Sequence, residues 1–456
     1  MRIIPLNRFL SMVKYACLAS LFIASSSAWA IDLMQVYQLA LSQDSTLKAA
    51  VAANLSAQER VPQARSQLLP NVSFNAGLNA NDLTRTQAGS DAQSDRYNSD
   101  NQTLGIRQTI FRRPLMVGLT QAGFLVRDAQ AVLETETQNL GVRVAGAYLE
   151  ALLAKDQVDL VMVQISAIST QLAAAKKSLA NGAGVRTDVD EAQARLDLAL
   201  AQELEARQQV ELTRRQVEVL INQPYDHLQA LDAQRMVLAR PNQSLEAWVQ
   251  MAYDRSPEIQ ALKARLEAAR LEIEKSRAGH LPTLDALAQV VRSGSENVNF
   301  PSSSYTNRVI GVQLTVPIYA GGVVDSTVRQ AMAEVTRAEE LLEAAKRDLS
   351  VRIHREYRGV TEGILRVQGL ETAVRSAEQL VESSKRSYEG GTRTLVDVFN
   401  AQQQRQTAKR DLATARYTYM ISLVRLNALS GGDKTEALVK LNSWLAQPFQ
   451  YISFKL

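Results

Sequence analysis

The sequence predicts a mainly α-helical protein with a small membrane-type β part, built from two copies of one unit. Three observations predict it. A short stretch occurs twice, as LANGAGVRTDVDEA at 179–192 and YEGGTRTLVDVFNA at 388–401. Gly182, Asp188, Val189 and Ala192 keep the same spacing as Gly391, Asp397, Val398 and Ala401. Residues 33–70 also align without gaps on residues 245–282, with Leu33 on Leu245, Ala40 on Ala252, Arg65 on Arg277 and Leu69-Pro70 on Leu281-Pro282. Lastly, no proline lies between Pro114 and Pro224 or between Pro317 and Pro448. Blocks that recur in one order mark a duplicated unit of about 190 residues, and long proline-free runs admit long helices.

Composition agrees. Aromatic residues are only 5%, which favours long helices over a thick globular core. The formal charge of +4 includes Arg2, Arg8 and Lys14; without them the chain carries about +1. A near-neutral chain removes the electrostatic reason to expect nucleic acid as a partner.

The N-terminus has the three parts of a secretory signal. Arg2, Arg8 and Lys14 are the basic region, Tyr15 to Ala24 the apolar region, and Ala28-Trp29-Ala30 the cleavage site. Cleavage after Ala30 is expected. Cys17, the single cysteine, lies in this signal and follows Lys14-Tyr15-Ala16, a poor lipoprotein site. The mature chain therefore has neither disulfide nor thiolate chemistry. No later run reaches about 18 consecutive apolar residues, so no transmembrane helix is expected. The expected organisation is a signal over 1–30, a first repeat over 31–222, a linker over 223–243, a second repeat over 244–430 and a closing segment over 431–456. The linker and the closing segment are candidates for a small collar beside the helices.

Each repeat opens with helix that stops at Leu-Pro. Ser256-Pro257 reads as a cap and first helical position, with Asp44-Ser45 in the same place of the first copy. Pro62 has no counterpart and should bend or fray the first helix. Alternation follows at Val72, Phe74, Ala76 and Leu78, and at Leu284, Ala286, Ala288 and Val290. Period two means strand. The polar stretches 79–102 and 292–307 read as exposed loops. A second strand closes each hairpin, marked by Leu104, Ile106 and Ile110 with Gln108 breaking the pattern, then cleanly by Ile310, Val312, Leu314, Val316 and Ile318. Strands of about ten residues suit a tilted membrane strand.

From Leu115 to Asn181 one helix would run ~100 Å at 1.5 Å per residue. The return from Asp188 to Asn222 is about half as long, and the opening helices supply the other half. Gly182 and Gly391 read as the turns of these hairpins, with Asp188 and Asp397 near the start of the returning helices. Those helices carry heptads: Val189, Leu196, Glu203, Val210, Val217 beside Ala192, Ala199, Ala206, Thr213, Leu220, and in the second copy Val398, Arg405, Leu412, Tyr419, Leu426 beside Ala401, Ala408, Ala415, Ser422, Leu429. This is coiled-coil packing, with small residues allowing close approach.

No catalytic constellation appears, so no enzyme is expected. His227, His280 and His354 lack metal-ligand spacing. Gly182-x-Gly184 and Gly390-Gly391 lack the Lys-Ser/Thr of a phosphate loop and read as turns. No cofactor is implied. Four strands cannot close a membrane barrel, whose smallest form has about eight, and open edges cannot face lipid. Several chains must therefore share one barrel. The alternative is a periplasmic coiled-coil adaptor or scaffold without a pore, against which the alternating hairpins argue.

The chain resembles the TolC family of outer-membrane channel proteins. The marks are YEGGTRTLVDV at Tyr388–Val398, GAGVRTDV at Gly182–Val189, VPIYAGG at Val316–Gly322 and the two Leu-Pro helix ends. The resemblance covers essentially the whole mature chain, duplication included. It implies a homotrimer with a shared twelve-stranded barrel in the outer-membrane lipid of a Gram-negative cell and a helical coiled-coil tunnel across the periplasm. It implies as partners a periplasmic adaptor and an inner-membrane ABC or proton-driven transporter, in type I protein secretion or multidrug efflux. It also implies a closed iris at the periplasmic end. Asp188 would bond Tyr388 within a chain and Arg393 between chains, and Asp397 would form a ring at the constriction. The family's best-known member has a further aspartate where this chain has Asn400, which should weaken cation capture at the entrance.

Overall fold

A computed structural model describes residues 30–86, 88–89, 91–295 and 303–446. The expected signal and its cleavage site, apart from Ala30, lie outside the described residues, as does the end of the closing segment.

The first repeat opens with α1 (Leu33–Gln43), α2 (Ser45–Gln58) and α3 (Arg60–Ser66). Asp32 closes a capping box on α1 with Gln35. Asp44 caps α2 by accepting from Leu47 N at 2.7 Å. The helix breaks at Glu59 because Pro62, in the first turn of α3, supplies no N–H to bond back into α2. In the second repeat α6 (Leu245–Arg255) is followed by an unbroken α7 (Pro257–Arg277), with Ser256 at the N-cap and Pro257 at the first helical position.

The strands are β1 (Asn71–Arg85), β2 (Gln93–Phe111), β3 (Thr283–Gly294) and β4 (Ser304–Thr315), all antiparallel in the order β1-β2-β3-β4. The two hairpins thus join through β2 and β3 into one sheet. In two places the strands differ from the sequence reading. Residues 79–85 and 93–102, and in the second copy 292–294 and 304–307, are ladder, not loop: Asn79 pairs with Ser99, Asp82 with Arg96 and Arg292 with Thr306. Their side chains are polar on both faces, which hides the alternation, yet backbone pairing continues. Val316 and Ile318 fall beyond β4, because Pro317 between them cannot donate to a ladder. Leu314 therefore stands near the strand end, and Ile310 nearer its middle.

Directly paired residues share a face of a sheet. Val72, Ile106, Ala288 and Ile310 form one row across all four strands, and Phe74, Leu104 and Val290 the next. A bulge at Thr109/Phe111 shifts the register so that Phe111 joins Leu284 and Leu314 on the same face. These apolar residues are largely uncovered, with Ile310 91% exposed and Leu78 87%. The opposite face carries Ser73, Asn75, Asn79, Thr103, Gln289 and Gln313, with charge at Arg85, Asp95, Arg107 and Asp285. Near its helical end Asp285 is buried between Arg107 (2.7 Å) and Arg112 (2.6 Å), tying β2, β3 and the following helix together.

α4 (Arg113–Ala180, 68 residues) returns as α5 (Arg186–Ile221, 36 residues), and α8 (Val323–Glu389, 67 residues) as α9 (Leu395–Leu429, 35 residues). At 1.5 Å per residue each long helix spans ~100 Å. α4 is also apolar enough, by length and composition, to cross a membrane, where the sequence reading expects no such helix. Its Ile168, Leu172 and Ala175 instead pack against Val189, Ala192 and Ala199 of α5. The heptad positions Val189, Ala192, Ala199, Thr213 and Val217 are buried, as are Val398, Ala401, Leu412, Ala415, Tyr419, Ser422 and Leu426.

The linker and the closing segment dock together midway along the rod. Ile31 bridges Leu228, and Leu231 bridges Leu445. The Tyr148 hydroxyl lies 2.9 Å from the carbonyl of Gln229. Leu438 and Leu441 of α10 (Glu436–Asn442) are buried there, and Trp444 stacks on Tyr419.

Candidate functional site

The candidate site is the far end of the rod, where both helical turns lie. Their backbones match bond for bond. Gly182 N donates to Leu179 O (3.0 Å) and Gly391 N to Tyr388 O (2.9 Å). Ala183 N donates to Ser178 O (3.0 Å) and Thr392 N to Ser387 O (2.9 Å). Gly182 (φ 73°) and Gly391 (φ 75°) are left-handed, which requires glycine in each turn. Asp188 and Asp397 both stand at the third position of the returning helix.

The side chains do not match. Thr394 is the N-cap of α9 and forms a reciprocal capping box with Asp397. The Asp397 carboxylate accepts from Thr394 N (2.9 Å) and Thr394 Oγ1 (2.8 Å). These bonds hold its carboxyl below the usual range, the backbone one contributing most. The matching N-cap of α5 is Val185, which has no side-chain acceptor. Asp188 therefore has no capping box, and among the described residues its carboxylate makes no hydrogen bond or ion pair.

Tyr388 lies beside Asp188 without a hydrogen bond to it. Partial burial, and then the negative charge of Asp188, push the Tyr388 phenol above its usual pKa. Arg393 is exposed and donates to Ser384 Oγ (2.9 Å), whose own residue is fully buried. Asn400 faces the first hairpin and accepts from Arg195 (3.2 Å). Arg195 also pairs with Glu191 at 2.6 Å and lies over the Phe399 ring at 5.0 Å. Beneath, Leu395 and Phe399 join Ile168, Leu172, Val189 and Ala192 in one apolar cluster shared by the two hairpins.

The structure thus brings Asp188 and Tyr388 together, engages Asp397 in a cap, and turns Asn400 onto Arg195. Arg195, Thr394 and Ser384 were missed from sequence. Thr394-x-x-Asp397 is a capping-box spacing that was legible, as was the Glu191–Arg195 pair at i,i+4. The contact of Arg195 with Asn400 joins positions 205 residues apart and has no local signal.

The chain matches the family model of the outer membrane efflux protein over residues 36–223 and again over 248–432. The chain belongs to the outer membrane efflux protein family. It is 31% identical over 422 residues to the alkaline protease secretion protein AprF of Pseudomonas aeruginosa, covering 91% of this chain and 87% of AprF. It is 31% identical over 430 residues to the outer membrane protein TolC of Vibrio cholerae, covering 94% and 97%. The solved outer membrane protein VceC of Vibrio cholerae has the same fold, with a TM-score of 0.74 at 18% identity over 88% of this chain and 96% of VceC. This efflux-family protein is thus an outer-membrane channel component, and its two family matches restate the duplication seen in its sheet and turns.

Proposed function

We propose that the protein is one subunit of a homotrimeric export duct, anchored in the outer membrane by a shared twelve-stranded barrel and spanning the periplasm by its helices. The carrying observation is the four-stranded sheet. One face is apolar and uncovered, the other polar, and β1 and β4 both end in open edges. Such edges are admissible in lipid only if copies complete one barrel, and the polar face then lines the pore. Energy comes from an inner-membrane transporter coupled through a periplasmic adaptor, and the duct itself is a passive conduit, not an enzyme. Type I protein secretion is the favoured use, since AprF and PrtF of Dickeya chrysanthemi are both named as protease secretion proteins. The mature chain begins after signal cleavage at Ala30, and the docked linker and closing segment form a collar.

The turns at the tip act as the gate. Asp188 is an unengaged carboxylate beside Tyr388 and is available to Arg393 of an adjoining subunit. A charge-assisted bond there is stronger than a neutral one, though at a solvated tip each is worth no more than ~1 kcal/mol. Repetition around the tip biases the closed state. The test is single-channel conductance in planar bilayers with uptake of a large antibiotic by cells. Wild type should conduct weakly, Asp188→Ala and Arg393→Ser more strongly, and the double variant little more than either. A wild-type channel already fully open, or variants of unchanged conductance, would reduce these residues to turn stabilisers.

A further inference from the structure

The outward face of the sheet changes character within one register step. On β3 and β4 it is apolar through Leu284, Ala286, Ala288 and Val290 and through Leu314, Val312 and Ile310. The next residues on that face are Arg292 and Arg308, and Arg308 is itself the partner of Val290. Alternation puts both guanidinium groups on the apolar side, and diagonal neighbours of this kind stand about 7–8 Å apart. Both side chains are exposed, and among the described residues neither makes a hydrogen bond or ion pair.

Other arginines of the sheet are matched. Arg96, on the same face, is held by Asp82 at 2.9 Å, and Arg107 by Asp285. The acid nearest in register to Arg292 is Asp100, which leans across Gly294 and reaches neither arginine within 4 Å. Two cations with no acid partner among the described residues thus sit at the upper border of a lipid-facing belt, on the hairpin-tip side away from the helices.

We propose that Arg292 and Arg308 bind the phosphate groups of phosphorylated glycolipid in the outer leaflet. This rests on the channel reading, which places the hairpin tips at the cell surface. Arginine presents a planar fork that matches phosphate oxygens two at a time. Its stem covers apolar surface while the head reaches the polar layer. Continuity with the belt selects a lipid over free phosphate, because acyl chains lie on Ile310 and Val290 while the headgroup meets the two guanidinium groups. The pair recurs in every subunit, so each barrel carries several such sites around its rim.

The test compares wild type, R292Q/R308Q and R292K/R308K in phosphatidylcholine nanodiscs. The discs are doped with lipopolysaccharide or with lipopolysaccharide stripped of its lipid phosphates by phosphatase. Glycolipid retained on the protein is counted by native mass spectrometry. Wild type should retain the phosphorylated form about tenfold better than the stripped form, a difference of one decade in affinity. R292Q/R308Q should lose that preference, and R292K/R308K should keep more of it than the glutamine variant. Equal retention of both lipids by wild type overturns the site without reliance on any variant. So does undiminished retention by R292Q/R308Q, or a lysine variant as depleted as the glutamine one. Conductance in pure phosphatidylcholine separates the two readings. A wild-type chain that fails to insert there overturns the channel and the lipid site together; one that inserts but shows no preference overturns the lipid site alone.

Discussion

The two helical turns share a backbone and divide their chemistry. In the second copy Thr394 engages Asp397, so the acid closes its own helix. In the first copy Val185 occupies the cap and leaves Asp188 without a bond. Tyr388 and Arg393 stand where the first copy has Leu179 and Gly184, as the matched bonds show. Gly184 cannot be exchanged freely, since a Cβ there would lie 2.9 Å from Leu179 N. Duplication supplied two equal turns, and substitution of a few side chains made one a stable cap and the other an available carboxylate.

The sheet offers the opposite case, where the copies stayed alike. Val72 and Ile310 belong to different copies but stand in one apolar row. Val72→Arg and Ile310→Arg should therefore be equally harmful, each costing about 1–3 kcal/mol at a depth between the arginine border and the membrane midplane. The measurement is the amount assembled in the outer membrane. Normal assembly of either variant would break the equivalence.

The next effect is smaller and exchanges the turns. Val185→Thr should create a second capping box, add about 1 kcal/mol to the first turn and draw Asp188 away from Tyr388. Thermal unfolding should rise while single-channel conductance increases. Thr394→Val should do the reverse to the second turn, loosening α9 by a similar amount. Acid separates the two wild-type turns as well. Asp397 is depressed by Thr394, so its contribution is present above the usual carboxylate range and is lost as pH falls through its lowered value. Hydrogen exchange at the start of α9 should therefore quicken in acid before that of α5 does.

Smaller again is the link between the copies. Arg195→Ala removes the bond to Asn400 and the contact with Phe399, each a surface interaction of about 0–1 kcal/mol. Hydrogen exchange should quicken at the starts of both α5 and α9; a change confined to α5 would show that the hairpins are held by the apolar cluster alone. The smallest effect is on Tyr388. Its phenol is raised above 10.0 by burial first and by Asp188 second. A raised phenol contributes stability below its unfolded value and loses it as pH rises through the folded one. Asp188→Asn should lower the titration only part of the way, read as a difference absorbance titration against Tyr388→Phe. No movement would place the two groups out of electrostatic reach.

Periodicity made most of the fold legible. Val72 to Leu78 and Ile310 to Leu314 announce strand by alternation, and the heptads of α5 and α9 announce the face that is buried. The tall ladder of 79–85 and 93–102 was not legible, because residues that are polar on both faces carry no period although their backbones pair. The bulge at Thr109/Phe111 depends on the partner strand, and its own strand shows only a break in alternation at Gln108. At the tip the acids and glycines could be placed from spacing alone. Their partners were harder: Ser384 lies nine residues back along the preceding helix, and Arg195 reaches across hairpins. The linker carries no period, and its docking depends on Tyr148 and Trp444 from distant parts of the chain.

The open edges of β1 and β4 have a genetic consequence. If several copies share one barrel, as proposed above, that barrel cannot be half right. A chain that folds its helices but carries a broken edge strand still enters the assembly and denies its neighbours closure. Produced beside the normal gene, such an allele would spoil every assembly it joins and so most of those formed, and the defect would be inherited as dominant.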